Sequence, residues 1–152
     1  MTSPLARLAE LGIALPSVGV PLAAYVAAVR SGSLVFTAGQ LPMIDGQLVA
    51  AGKVGGAVSA AQAHALARTC ALNGLAAVDA LVGLDAVVRV VKVVGYVAST
   101  PDFTGQPAVV NGASELLGDV FGAAGLHARS AVGVAVLPLD APVEIELVVE
   151  VG

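Results

Sequence analysis

The pattern of apolar and polar positions divides the chain into short β-type runs and two long helical ones. From Ala24 the residues YVAAVRSGSLVFTAG predict two short strands turned at Ser31-Gly32-Ser33. Asp45-Gly46 is a second turn signal, leading into a weak strand at Gln47 to Val49. Ser59, followed three residues later by Gln62, is a capping box that satisfies orphan amide donors at a helix start. An Ala-rich run with Leu66, Cys70, Leu72, Leu75 and Leu81 carries that helix to Gly83, a natural stop. His64 and Arg68 are four apart and are expected on its solvent side.

Ala86 to Ala98 is rich in β-branched residues and long enough for one central strand, closed by Pro101. Gln106 to Gly122 predicts a second helix, with Val109, Val110, Leu116, Leu117, Val120 and Phe121 as its buried stripe. Two last strands, Ser130 to Leu137 and Val143 to Val149, are separated by Pro138 and a turn at Leu139-Asp140-Ala141-Pro142. The order is β-β-(β)-α-β-α-β-β. Nothing divides the chain, so the expectation is one α+β domain over residues 1–152, with residues 1–20 as an N-terminal extension. A sheet with both helices on one face is the economical packing. Its other face, rich in Val and Ala, also needs cover, which a subunit interface would supply.

Composition strengthens the case for an interface. The 152 residues are 57% hydrophobic, 12% charged and 3% aromatic, with 18 Gly and no Trp. A chain with so few charges cannot hide its apolar area alone, and monomers rarely expose large apolar patches. The longest uncharged stretch, Leu11 to Val29, could span a bilayer by length. Pro16, Pro21, Gly12 and Gly19 break it, and broken helices leave backbone groups unpaired in lipid. Arg7 and Glu10 stand where a signal peptide would have its apolar core, so the expected location is the cytoplasm.

Charge and cysteine content remove several function classes. A formal net charge of −4 with seven scattered basic residues argues against phosphate-backbone binding. Cys70 is the only cysteine, which excludes an internal disulfide and a CxxC metal site. Gly46 to Lys53 looks like a phosphate loop, but its spacing is one residue too long and Val54 replaces the magnesium-binding Ser/Thr. Gly52 to Gly56 has no strand-to-helix turn around it and is no dinucleotide fingerprint. There is no GxSxG elbow, and His64 and His127 lack metal-site spacing.

What remains is a cluster near the C-terminus. Arg129 opens a strand after a helix and loop, and its fork of donors matches a carboxylate bidentately. Glu144 and Glu146 share one face of the last strand. Spacing alone leaves two readings open, a ligand-binding arginine or a structural Arg129–Glu144 pair.

Four blocks then resemble the Rid family of reactive-intermediate (imine and enamine) deaminases, the YjgF type, formerly called endoribonuclease L-PSP. They are Tyr25-Val26 with Gly32 and Thr37-Ala38-Gly39-Gln40-Leu41-Pro42; Asp102-Phe103 with Val110-Asn111; Ala128-Arg129-Ser130; and Leu137-Pro138 with Val143-Glu144-Ile145-Glu146. The resemblance covers the chain from about Tyr25 onward. It implies a fold like trimeric chorismate mutase and a homotrimer with sites between neighbouring subunits. It further implies that Arg129 holds a substrate carboxylate and Glu144 positions or activates water. Tyr25, Gly39, Asn111, Ser130 and Ala131 would line the pocket. Two departures stand out: Ala131 replaces a common family Cys, and residues 1–20 and Gly52–Gly56 lengthen the chain.

The chemistry so implied is hydrolysis of a small 2-imino or enamine acid to a 2-keto acid and ammonia, with no cofactor and no metal. The alternative is a non-catalytic trimer binding a small keto or amino acid. Ribonuclease activity is the weakest of the three readings, since the chain has no basic groove. The expected partners are a small carboxylate-bearing metabolite and copies of the same chain, with neither nucleic acid nor membrane.

Overall fold

The computed structural model describes residues 2–19 and 24–152. Val20 to Ala23, including the Pro21 break, lie outside the described residues. In chain order the elements are α1 (Pro4–Glu10), β1 (Ala28–Ser31), β2 (Leu34–Thr37), β3 (Met43–Ile44), β4 (Gln47–Leu48), α2 (Ala60–Val82), β5 (Val87–Ala98), α3 (Gln106–Phe121), β6 (Ala128–Val134) and β7 (Val143–Val151).

Five strands form one mixed sheet in the order β1-β2-β7-β5-β6, antiparallel except for the parallel β5–β6 pair. The connection between those two strands is α3, as a parallel pair requires. The weak strand at Gln47 does not join this sheet. It pairs with β3 in a separate hairpin, turned by Asp45 (φ 51°) and Gly46 (φ 77°), the positive angles a tight hairpin needs.

Along β7 the residues Val143, Ile145, Leu147, Val149 and Val151 are buried and alternate with half-buried ones. The buried set faces α2, while α3 covers the same side of β5 and β6, in line with the two-residue period of a strand. The open face is less uniform than the expected Val and Ala. Val29, Phe36 and Val132 lie on it, but so do Glu144, Glu146 and Tyr96. The alanines of this chain serve the helices instead: Ala63, Ala67, Ala71 and Ala77 are buried in α2.

The capping box of α2 is present in both directions. The Gln62 amide donates to Ser59 Oγ at 3.1 Å, and the Ser59 amide donates to Gln62 Oε1 at 3.0 Å. By length and composition α2 could cross a membrane, yet half of its most apolar window is buried in the domain. Fully burying each of its Leu and Val side chains is worth roughly 1.5–3 kcal/mol, which explains its hydropathy without lipid. The described part of Leu11 to Val29 carries no helix.

His64 and Arg68 both keep solvent contact on α2, and His64 Nε2 also lies 3.2 Å from Glu115 Oε2 on α3. Two expectations need correction. Phe121 is half-buried rather than buried, in the last turn of α3. The last two strands are shifted, β6 starting at Ala128 and β7 ending at Val151, because pairing with β5 sets their ends rather than composition.

The N-terminal residues are integrated. Leu8 of α1 is buried in the core, Arg7 Nε donates to the Asp119 carbonyl of α3 at 2.9 Å, and the Leu5 amide donates to Asp85 Oδ1 at 3.0 Å. The Gly52–Gly56 segment seats Val54 against the end of β5, with hydrogen bonds to the Ala98 carbonyl and from the Thr100 amide. It is a plug at the sheet end.

Candidate functional site

Arg129 lies in β6 beside Val93 of β5, on the face covered by α3. Its Nη1 donates to Asn111 Oδ1 at 2.7 Å and to Ser114 Oγ at 3.2 Å, and its Nη2 donates to the Pro107 carbonyl at 3.4 Å. Positions 107, 111 and 114 repeat at helical spacing and so line one face of α3. All three acceptors are neutral. Among the described residues no carboxylate lies within ion-pair distance of this guanidinium. The group is therefore oriented by hydrogen bonds while its charge stays uncompensated.

Glu144 lies across from Tyr96 on the opposite, open face of the sheet. β5 separates its strand from that of Arg129, so the backbones are about 10 Å apart by strand spacing alone. The structural Arg129–Glu144 pair, left open by spacing, is thus not made within one chain. Tyr96 is its neighbour instead, and the phenol donates to Glu146 Oε1 at 2.8 Å. That bond to a carboxylate, helped by burial, pushes the Tyr96 hydroxyl up to about 12, so it remains a donor. Burial, and then the negative Glu146 beside it, hold the Glu144 carboxyl above its ordinary value.

The block Thr37 to Pro42 is pinned beside Glu144. Gln40 exchanges main-chain hydrogen bonds with Ile145 of β7, at 2.8 and 3.0 Å. From α2, Asn73 Nδ2 donates to the carbonyls of Leu41 and Met43 at 3.2 and 3.0 Å. A Cβ on Gly39 would stand 2.7 Å from Glu144 Oε1, so only glycine allows this approach. Gly39 and Tyr25 both line a cleft of about 690 Å³ whose walls include Pro16, Val18, Thr69 and Asn73.

The seven residues singled out from the sequence fall into two groups. Arg129, Asn111 and Ala131 share the α3 side of the β6 edge, Ala131 being in register with Gly95 beneath the helix. Tyr25, Gly39 and Glu144 gather around the loop between β2 and β3. Ser130 joins neither, since it faces the open side in register with Val94. Sequence reasoning missed Ser114 and the Pro107 carbonyl, although the helical spacing from Asn111 was a usable signal. It also missed Tyr96, whose partnership depends on strand register.

A family model for endoribonuclease L-PSP matches residues 17–151. This chain belongs to that family. It is the YjgF or Rid group that the four sequence blocks resemble. Protein TCP17 of Trypanosoma cruzi is 45% identical over 149 residues, covering 97% of this chain and 93% of TCP17. The crystal structure of Atu1372 from Agrobacterium tumefaciens is 46% identical and superposes with a TM-score of 0.89, over 96% of this chain and 91% of that one. The E. coli TdcF structure with bound serine is 25% identical with a TM-score of 0.65, covering 91% and 94%. The L-PSP match begins at Ser17, whereas TCP17 and Atu1372 also match most of the N-terminal residues that wall the cleft.

Proposed function

We propose that this L-PSP family member is a cofactor-independent hydrolytic deaminase of small 2-imino or enamine acids, acting at sites completed by neighbouring subunits of a homotrimer. The observation that carries the reading is Arg129, held in place by neutral acceptors with no acid to neutralise it. An oriented, uncompensated guanidinium on a half-buried strand is suited to take a ligand carboxylate through two charge-assisted bonds. The bound serine of TdcF is a small molecule of that kind in a related fold.

The reaction adds water to the imine carbon and breaks the C–N bond. Glu144 accepts a proton from the attacking water and passes it to the imine nitrogen, which gives a carbinolamine. A second transfer by the same carboxylate moves the new hydroxyl's proton to that nitrogen, so the C–N bond breaks, ammonia leaves and the oxygen remains as the 2-keto group. Its raised affinity for protons suits a group that must take one up and hand it on. Because Arg129 and Glu144 occupy opposite faces in one chain, both can meet one small substrate only if a second chain brings its Glu144 side to the β6 edge. The exposed Val29, Phe36 and Val132 of the open face supply apolar area for such a contact. Sedimentation at micromolar concentration is expected to show a trimer, and a monomer would remove this assembly from the reading.

The direct test is Arg129→Lys. Lysine keeps the charge but loses the planar fork and the hold on Asn111, Ser114 and Pro107. Each charge-assisted bond is worth roughly 1.5–3 kcal/mol, so keto-acid affinity should fall at least about tenfold with thermal stability kept. Unchanged affinity by calorimetry would return Arg129 to a structural role. An RNA substrate is the poorer reading, because the chain carries a net charge of −4 and no run of basic residues.

A further inference from the structure

Arg129 also lines a second, shallower pocket of about 260 Å³, with Ser114 and Gly118 of α3 and with Leu126 and His127 of the segment entering β6. His127 and Arg129 are two residues apart and both face this pocket. The imidazole Nδ1 lies 3.1 Å from the Ala128 carbonyl oxygen. A carbonyl can only accept, so Nδ1 carries the proton of the neutral ring and Nε2 is left with a free lone pair. Burial above all, with a smaller part from the nearby Arg129 charge, lowers the ring's proton affinity below its ordinary value and outweighs the opposing bond to the Ala128 carbonyl, so the neutral ring is favoured. The pocket thus sets a fixed cation beside a neutral acceptor.

We propose that His127 is a ligand-contacting group: with a ligand's carboxylate on Arg129, His127 Nε2 accepts an N–H from the nitrogen on the adjacent carbon. The pocket would then favour 2-imino and 2-amino acids over the 2-keto acids left after the nitrogen departs. A keto oxygen has no hydrogen to give, and it would set two acceptor lone pairs against each other. The inference deepens the reading of Arg129 as a carboxylate anchor and rests on it. It also gives the deaminase a means of releasing its product.

The test is calorimetry of the full chain with 2-aminobutyrate and 2-oxobutyrate, which share the carboxylate and ethyl group but set an ammonium against a keto oxygen at the 2-position. The variants are His127→Phe, which keeps an aromatic ring, and His127→Asn, which keeps a polar group. Because a hydrogen bond from a charged donor contributes about 1.5–3 kcal/mol, the preference for the amino acid should drop at least about tenfold in His127→Phe. The drop should be smaller in His127→Asn, whose amide oxygen can still accept. An unchanged preference in both variants would overturn the proposal. Arg129→Met separates the two levels: loss of both ligands keeps the carboxylate reading whatever His127 does. If Arg129→Met binds both ligands as before, the anchor fails and this inference with it.

Discussion

Glu144→Gln is expected to abolish turnover of a freshly generated imino acid while leaving keto-acid binding nearly unchanged. The amide is close to isosteric, so the contact with Gly39 and the position opposite Tyr96 survive. What it loses is the ability to take a proton from water, a contribution of about 10²–10⁴-fold where a side chain acts as acid or base. The acid limb of kcat/KM in the natural protein should lie above the ordinary carboxylate range, because burial and Glu146 hold the Glu144 carboxyl up. A carboxyl raised in the folded state adds stability that is present at low pH and lost as pH rises through its folded value. At neutral pH the ionised group is therefore a small burden on the fold, and the glutamine variant should melt no lower than the natural protein. A joint collapse of binding and melting temperature would assign Glu144 a structural part instead.

Gly112→Ala should lower the melting temperature by roughly 2–12 °C. Position 112 brings α3 directly onto the backbone of α2, and an added Cβ would overlap the main-chain carbonyl oxygen of His64. Backbone cannot swing aside as a side chain can, so the helices must separate and their buried leucines and valines lose contact. Overpacking of this sort costs about 1–3 kcal/mol, occasionally more, and each kcal/mol moves the midpoint of a domain this size by about 2–4 °C. The control lies on the same helix. A Cβ on Gly118 meets nothing within 4 Å, so Gly118→Ala should gain up to about 1 kcal/mol of helix propensity. Opposite signs at two glycines six residues apart, read by thermal unfolding, would locate the crossing. Equal effects would show that helix propensity, not contact, governs both.

Local chemistry was legible because it depends on neighbours in sequence. The capping box at Ser59, the Asp45-Gly46 turn, and the two helices all follow from short-range rules, and each is present. The family blocks were readable for a related reason. Gly39 must lack a side chain to let Glu144 approach, and Asn111 must sit on one helix face to reach Arg129, so both leave a fixed residue at a fixed place.

The α1 helix was not legible, since seven residues with one buried leucine carry little period of their own and are held by contacts with α3 and Asp85. Nor was the strand order β1-β2-β7-β5-β6, which brings the last strand of the chain into the middle of the sheet.

Sequence by itself determined which residues could do chemistry here: one arginine in a cation-poor stretch, two alternate glutamates and an asparagine on a helix. Only the tertiary structure decided how they are divided. Strand alternation tells which residues of one strand share a face, but the faces of two strands are related only through their pairing with a third. Pairing with β5 sets Arg129 beside Val93 beneath α3 and Glu144 beside Tyr96 in the open, on opposite sides of one sheet. Register is a long-range property, settled by which apolar set the helices bury, and a one-residue slip would exchange the faces.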